Sequence, residues 1–204
     1  MNEKEILFKV LIVGDAEVGK TSFVRRYVRS AYEKNYKPTL GVDFALKVIP
    51  WSETQTVRLQ LWDIAGQERF TSMTRVYYRR ASTCLILFDV TQPNSFHNAA
   101  KWKKDLDSKC FNSSGENIPC VLVANKIDLP MKVEKAEIND LCKEHKFLGW
   151  TEMSVKDDKH VTETMEFLVA ELMSPSTPVP TEEIGYIGPT MPDPDDRKKS
   201  CCGS

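Results

Sequence analysis

Apolar positions along the chain follow two alternating rhythms. Apolar runs at 7–13, 42–49, 57–62, 83–90 and 119–124, with a short one at 151–154, read as strands. Residues 21–30, 94–109, 134–146 and 161–173 carry their apolar side chains at helical spacing instead. The alternation predicts an α/β fold, a mostly parallel sheet with helices on both faces. The runs at 42–49 and 57–62 are consecutive strands joined by a short polar link around 51–56, so a hairpin and one antiparallel strand are expected. Within that hairpin Val57, Leu59 and Leu61 share one face, which puts Trp62 on the other. Phe44 stays open, because Val42, Phe44, Leu46 and Val48 alternate as a core face would. No internal repeat is visible.

The rhythm stops at Ser174, and composition explains why. Six of the eleven prolines lie beyond it, with five acids, three bases and little apolar material. Such a segment buries too little to order itself. The expected organisation is one domain over 1–173 and a flexible proline-rich tail over 174–204, and 204 residues suffice for a sizeable core. Basic and acidic residues nearly cancel, 28 against 29, so no basic stripe argues for a nucleic-acid partner. No apolar run approaches a membrane span, and the N-terminal stretch lacks the cleavage site of a signal peptide. A cytosolic start is expected. Cys84, Cys110, Cys120 and Cys142 are scattered without zinc spacing; Cys84 and Cys120 sit in strand runs and read as inert core thiols.

Candidate chemistry begins where the first strand ends. Gly14, Asp15, Ala16, Glu17, Val18, Gly19, Lys20, Thr21 and Ser22 spell G-x-x-x-x-G-K-[ST] between a strand and a helix that starts at Lys20. Successive backbone N–H groups of such a loop form a nest for phosphate oxygens, and the helix N-terminus adds its positive dipole end. Lys20 is placed to reach the β- and γ-phosphates, and the Thr21 hydroxyl to ligate Mg²⁺.

Three further loops follow strands, where ligands bind in such folds. Asp63-Ile64-Ala65-Gly66-Gln67 offers a carboxylate for Mg²⁺ through water, a Gly66 N–H that can approach a γ-phosphate, and Gln67 to orient an attacking water. Asn125-Lys126-Ile127-Asp128 offers a base reader. The Asp128 carboxylate can accept from both N1–H and the N2 amino group of guanine, neither of which adenine presents, and a site that pairs such groups rejects an analogue lacking them. Asn125 would assist at N7, and the Lys126 stem would lie over the base. Ser154-Val155-Lys156 brings backbone N–H groups for O6. Thr39, between the first helix and second strand, can bind Mg²⁺ and γ-phosphate only while that phosphate exists, which makes a switch. Tyr32 and Tyr36 lie in the same segment and are further candidate nucleotide contacts; Tyr32 reads equally as a packing aromatic at the helix end.

GDAEVGKTS, KPTLGVDF, WDIAGQERF, NKID and MSVK together resemble the signature set of a Rab small GTPase over roughly residues 6–173. VDFALKV, Ile64 where most members have Thr, MTRVYYR and KWKKDLDSK are similar to the branch serving lysosome-related organelles, the trans-Golgi and lysosomes. The resemblance implies a P-loop NTPase G domain: a six-stranded sheet with one antiparallel strand, and five helices. It implies a monomeric GTP/GDP switch that hydrolyses GTP slowly with Gln67 as catalytic residue, and recruits effectors in vesicle trafficking. Mg²⁺ would be held through Thr21, Thr39 and Asp63, and Phe44, Trp62 and Tyr77 would form the effector surface. Implied partners are a guanine nucleotide exchange factor, a GTPase-activating protein, a GDP-dissociation inhibitor and a prenylation escort protein. The implied location is the cytoplasmic face of trans-Golgi, endolysosomal or lysosome-related membranes, with a cytosolic pool. Ala16 and Glu17 depart from the small residues common at those places, which leaves a GTP-binding scaffold with negligible hydrolysis as the alternative. A small-molecule kinase is disfavoured, since a base reader has no role in one. Thr71 and Ser72 follow Phe70 in the second switch and are candidate phosphorylation sites, where a phosphate adds about −1.5 to −2 charges.

Cys201-Cys202-Gly203-Ser204 is not a C-a-a-X box but resembles the double-cysteine ending that takes two geranylgeranyl groups. One lipid binds only marginally, and the acidic tail supplies no electrostatic second signal. Replacing both cysteines by Ser is expected to move the protein from the membrane to the soluble fraction while GTP affinity stays unchanged. A double variant that still sediments with membranes contradicts this reading.

Overall fold

The computed structural model describes residues 4–32, 39–67 and 74–174. Tyr36, Thr71, Ser72, Cys201, Cys202 and the proposed tail from residue 175 onward lie outside them. The order is β1 (Lys4–Val13), α1 (Lys20–Arg29), β2 (Val42–Ser52), β3 (Gln55–Ile64), α2 (Thr74–Tyr78), β4 (Thr83–Asp89), α3 (Pro93–Lys109), β5 (Cys120–Asn125), α4 (Lys135–Glu144), β6 (Gly149–Met153) and α5 (Val161–Met173). The sheet runs β2-β3-β1-β4-β5-β6. β2 and β3 pair antiparallel and every other pairing is parallel. The predicted hairpin is therefore present, and the α/β class holds.

Side-chain alternation divides the core between the two faces of the sheet. In β4, Cys84, Ile86 and Phe88 join the cluster that includes Trp102 and Leu106 of α3 and Ile138 and Cys142 of α4. Leu85 and Leu87 join Phe23 and Val24 of α1 and Met165 and Leu168 of α5. The period of two thus sends alternate residues to opposite helical layers. Cys84, Cys110, Cys120 and Cys142 are all buried free thiols, as a core role requires. β1 lies between β3 and β4, so strand order reverses beside it and a crevice opens at its carboxyl end.

Three departures from the sequence rhythm have physical causes. The short helix α2 is too brief to show a helical repeat. β1 starts earlier than its apolar run because Lys4 and Glu5 are exposed yet pair with Gln55 and Thr56. The apolar alternation of β2 faces outward: Phe44, Leu46 and Val48 are 58%, 50% and 49% exposed. No helix among the described residues covers that stripe, so of the two readings open for Phe44 the core face fails. Phe44 instead meets Trp62 edge-on, with ring centroids 4.4 Å apart.

Burial sets the expected stability effects. Leu85→Ala, at a fully buried position, is predicted to cost about 2–5 kcal/mol in urea unfolding. Leu46→Ala should stay within about 0.5 kcal/mol, because its side chain is already half in water. Similar losses for both would contradict this division of faces.

Candidate functional site

The carboxyl ends of β1, β3, β5 and β6 surround an open cavity of about 510 Å³. Its lining includes Lys20, Thr21, Thr39, Gly66, Asn125 and Asp128. Most of these residues, far apart in sequence, meet here because they sit at the end of a strand of the same sheet, in the loop leaving it or in the helix after it; Thr39 comes instead from the segment between α1 and β2.

The phosphate loop turns at Gly14, with φ 139°, and at Gly19, with φ 103°. A Cβ on Gly14 would lie 2.2 Å from the Leu87 carbonyl, and one on Gly19 would lie 2.4 Å from Asn125 Nδ2. Both positions demand glycine for space as well as for φ. Lys20 is almost wholly buried, and its Nζ donates to the carbonyls of Gly14 at 2.8 Å and Asp15 at 2.6 Å. Burial pulls its pKa down to about 8, against the opposing pull of Asp63 and Asp15. Gly66 presses on the same loop: a Cβ there would lie 2.2 Å from Ala16 N.

Thr21, Thr39 and Asp63 converge from three segments. The two hydroxyls are 2.8 Å apart, Thr21 donates to Asp63 Oδ2, and Thr39 Oγ1 lies 3.5 Å from the same oxygen. Asp63 Oδ1 is buried without a hydrogen-bond partner among the described residues. Burial raises the Asp63 pKa, the Thr21 and Thr39 hydroxyls and Lys20 opposing it and Asp43 adding to it. A buried orphan oxygen beside two hydroxyls is a donor set suited to a hard cation such as Mg²⁺. Such an ion would hold Asp63 ionised.

The other end of the cavity is a polar frame. Asn125 Nδ2 donates to Val18 O at 2.8 Å, and Val155 N–H donates to Asn125 Oδ1 at 3.3 Å. Asn125 therefore braces the phosphate loop against the Ser154–Lys156 loop, a role that sequence motifs do not reveal. Asp128 accepts from Ser154 Oγ at 2.8 Å and Lys156 Nζ at 3.1 Å. Burial pushes its carboxyl up, but these bonds outweigh it and hold it below the usual range. Lys126 has φ 70° and pairs with Asp89 at 2.7 Å, so its head is anchored while its stem lies along the cavity. Burial raises Asp89, yet the Lys126 and Thr91 bonds prevail and lower it.

Several couplers escaped the sequence. Arg26 of α1 donates to Val155 O at 3.1 Å and Lys156 O at 3.0 Å, and its guanidinium lies 5.5 Å from the Tyr32 ring centroid. Asn98 and Trp102 of α3 donate to the Asp15 carboxylate at 2.6 and 2.9 Å. Arg25 also lines the cavity from α1. None of these stands in a local motif; only the folded sheet brings them to it. Tyr32 and the exposed Gln67 line the cavity, as do Ala16, Glu17, Ser22, Val155 and Lys156. Away from it, Lys9 Nζ sits 3.3 Å above the Trp62 ring and donates to Arg79 O, fixing that indole beside Phe44. Tyr77 packs with Trp62 against the α3-side core.

A family model described as the Ras family matches residues 9–174. Ras-related protein Rab-7L1 of Rattus norvegicus is 58% identical over 177 residues, covering 86% of this chain and 87% of the relative. The Homo sapiens protein of the same name is 57% identical over 178 residues, 87% of this chain and 88% of the relative. Ras-related protein Rab-32 of Mus musculus is 46% identical over 183 residues, 89% of this chain and 82% of the relative.

The buried lysine gives a pH prediction. In the nucleotide-free protein, between pH about 8 and 10.5, the unfolded chain keeps a Lys20 proton that the folded chain has shed. The unfolded state binds more protons there, so this group's contribution to stability rises with pH through that window. Lys20→Met should remove that rise from the pH–stability profile while weakening GDP binding. An unchanged profile in the variant would contradict the assignment.

Proposed function

The chain belongs to the Ras family, among its Rab members, and from that premise we propose how its own residues operate the switch. It is a Rab-type small GTPase that binds GTP and GDP, hydrolyses GTP to GDP and acts as a switch in vesicle trafficking. In our reading residues 1–173 are the G domain and 174–204 a proline-rich tail. The phosphates lie in the loop from Gly14 to Ser22, with Lys20 leaving the Gly14 and Asp15 carbonyls to meet them. Thr21, Thr39 and Asp63 would hold Mg²⁺ there. When bound, Mg²⁺ neutralises charge on the β- and γ-phosphates.

The observation that carries the switch is the meeting of Thr21, Thr39 and Asp63 at one buried orphan oxygen. Thr39 belongs to a segment with no other phosphate-loop tie among the described bonds, so losing the γ-phosphate releases it. Gly66 N–H approaches the γ-phosphate, and Gln67 orients the attacking water. Asp128 pairs with guanine N1–H and N2, Asn125 assists at N7, and Ser154, Val155 and Lys156 close around O6. Lys126 covers the base, and Tyr32 and Tyr36 close on the nucleotide.

Around this core we place the partners. Phe44, Trp62 and Tyr77 present the effector surface, and phosphorylation at Thr71 or Ser72 would alter regulator binding there. An exchange factor, an activating protein, a dissociation inhibitor and an escort protein serve the cycle of a monomer. Two geranylgeranyl groups on Cys201 and Cys202 anchor it to the cytoplasmic face of trans-Golgi, endolysosomal or lysosome-related membranes, with a cytosolic pool. No helix among the described residues is long and apolar enough to cross a membrane. A scaffold without hydrolysis is not favoured, since Gln67 is retained at the cavity.

Single-turnover hydrolysis tests the reading. Intrinsic turnover should be about 10⁻⁴ to 10⁻³ per second, the range of a related GTPase that lacks an arginine finger. Gln67→Leu should slow it further while GTP affinity is kept. A wild-type rate near one per second, or an unaffected Gln67→Leu variant, would contradict it.

A further inference from the structure

The phosphate loop carries two acids, and the fold treats them differently. The Asp15 carboxylate turns to α3, where Asn98 and Trp102 each donate to one of its oxygens. Its charge is spread into hydrogen bonds away from the cavity. Glu17, two residues on, is exposed and lines the cavity. No hydrogen bond or ion pair engages its side chain among the described residues.

Among the described residues none of the cations lining the cavity, Lys20, Arg25, Lys126 and Lys156, pairs with it. Lys126 is paired with Asp89 and Lys156 with Asp128. Lys20 binds backbone carbonyls on the inner side of the loop. Glu17 also holds a left-handed backbone conformation, φ 65°, which a side chain adopts less readily than glycine. An unpaired carboxylate has been placed in a loop whose purpose is to gather backbone N–H groups around anions.

We propose that Glu17 sets the lifetime of the bound nucleotide by repelling its phosphates, so that this chain releases nucleotide faster than its phosphate loop would otherwise allow. The proposal rests on the guanine-nucleotide reading above. Bound diphosphate or triphosphate and the Glu17 carboxylate are like charges at one loop, and at physiological salt such charges act on each other over a Debye length of about 8 Å. Departure of the nucleotide relieves that repulsion, so the charge accelerates dissociation. Salt screens it, because Glu17 faces solvent rather than the core.

Release of a fluorescent N-methylanthraniloyl GDP from the full chain, chased with unlabelled GDP in excess Mg²⁺, tests this. Glu17→Gln and Glu17→Lys keep a side chain at the same backbone angle and change only its charge. Glu17→Gln should slow release about threefold to tenfold at low salt, and Glu17→Lys more. Both differences should shrink at about 0.5 M salt, where the Debye length falls to a few ångström. Thermal melting checks that each variant is folded, and the Gln variant alone decides if the Lys variant is not. Equal release rates for wild type and Glu17→Gln would overturn the proposal. So would slowing confined to Glu17→Gly, which would assign the effect to backbone strain. If wild type fails to retain GDP at all, the nucleotide reading falls, and this proposal with it.

Discussion

The bond pair made by Asn125 is the constraint on which the site depends. Its amide reaches Val18 in the phosphate loop and Val155 in the last loop, so one side chain holds the phosphate end and the base end of the cavity in fixed relation. Gly19 has no Cβ because that amide occupies the place where one would go. Asn125 can do this only from the carboxyl end of β5, paired between β4 and β6 in the buried middle of the sheet. A buried amide left without these partners would carry an unsatisfied polar cost. The core therefore fixes the frame, and the frame fixes the loops.

Against that rigid side stands a more conditional one. Asp63 sits at the carboxyl end of β3, in register with Ile12 of β1 and as buried as Asn125, but its neighbour Thr39 comes from a loop. One carboxylate oxygen is satisfied by hydroxyls and the other by no hydrogen-bond partner among the described residues. Such an arrangement is completed by a ligand rather than by folding, which is how a switch differs from a static site. Gly66 leans on Ala16 with no room for a side chain, so a change in the phosphate loop is felt at once by the segment leading to Gln67.

What could be read in the sequence was what is local. The phosphate loop, the Asp63–Gln67 run and the Asn125–Asp128 run are contiguous, and each follows a strand whose apolar run announces it. The couplers were not legible: Arg26, Asn98 and Trp102 are ordinary helix residues until the sheet brings α1 and α3 against the loops. Periodicity also does not say which face of a strand is covered. β2 alternates as a core strand would, yet it is an edge strand whose apolar side meets solvent. Exposure there leaves Phe44 open to solvent, edge-on to the Lys9-backed Trp62 of β3. Ser154 shows the opposite case, since a small loop hydroxyl turns out to be wholly buried and bonded to Asp128.

The central claim is a site that reads guanine with one carboxylate and holds its phosphates with Mg²⁺. Equilibrium titration of GDP and ADP against the wild type and Asp128→Asn, with Mg²⁺ and after chelation, tests it most directly. The account predicts tight GDP binding that weakens on chelation, no measurable ADP binding, and a variant that loses GDP and accepts xanthosine diphosphate. ADP binding comparable to GDP, or normal GDP affinity in the variant, would contradict it.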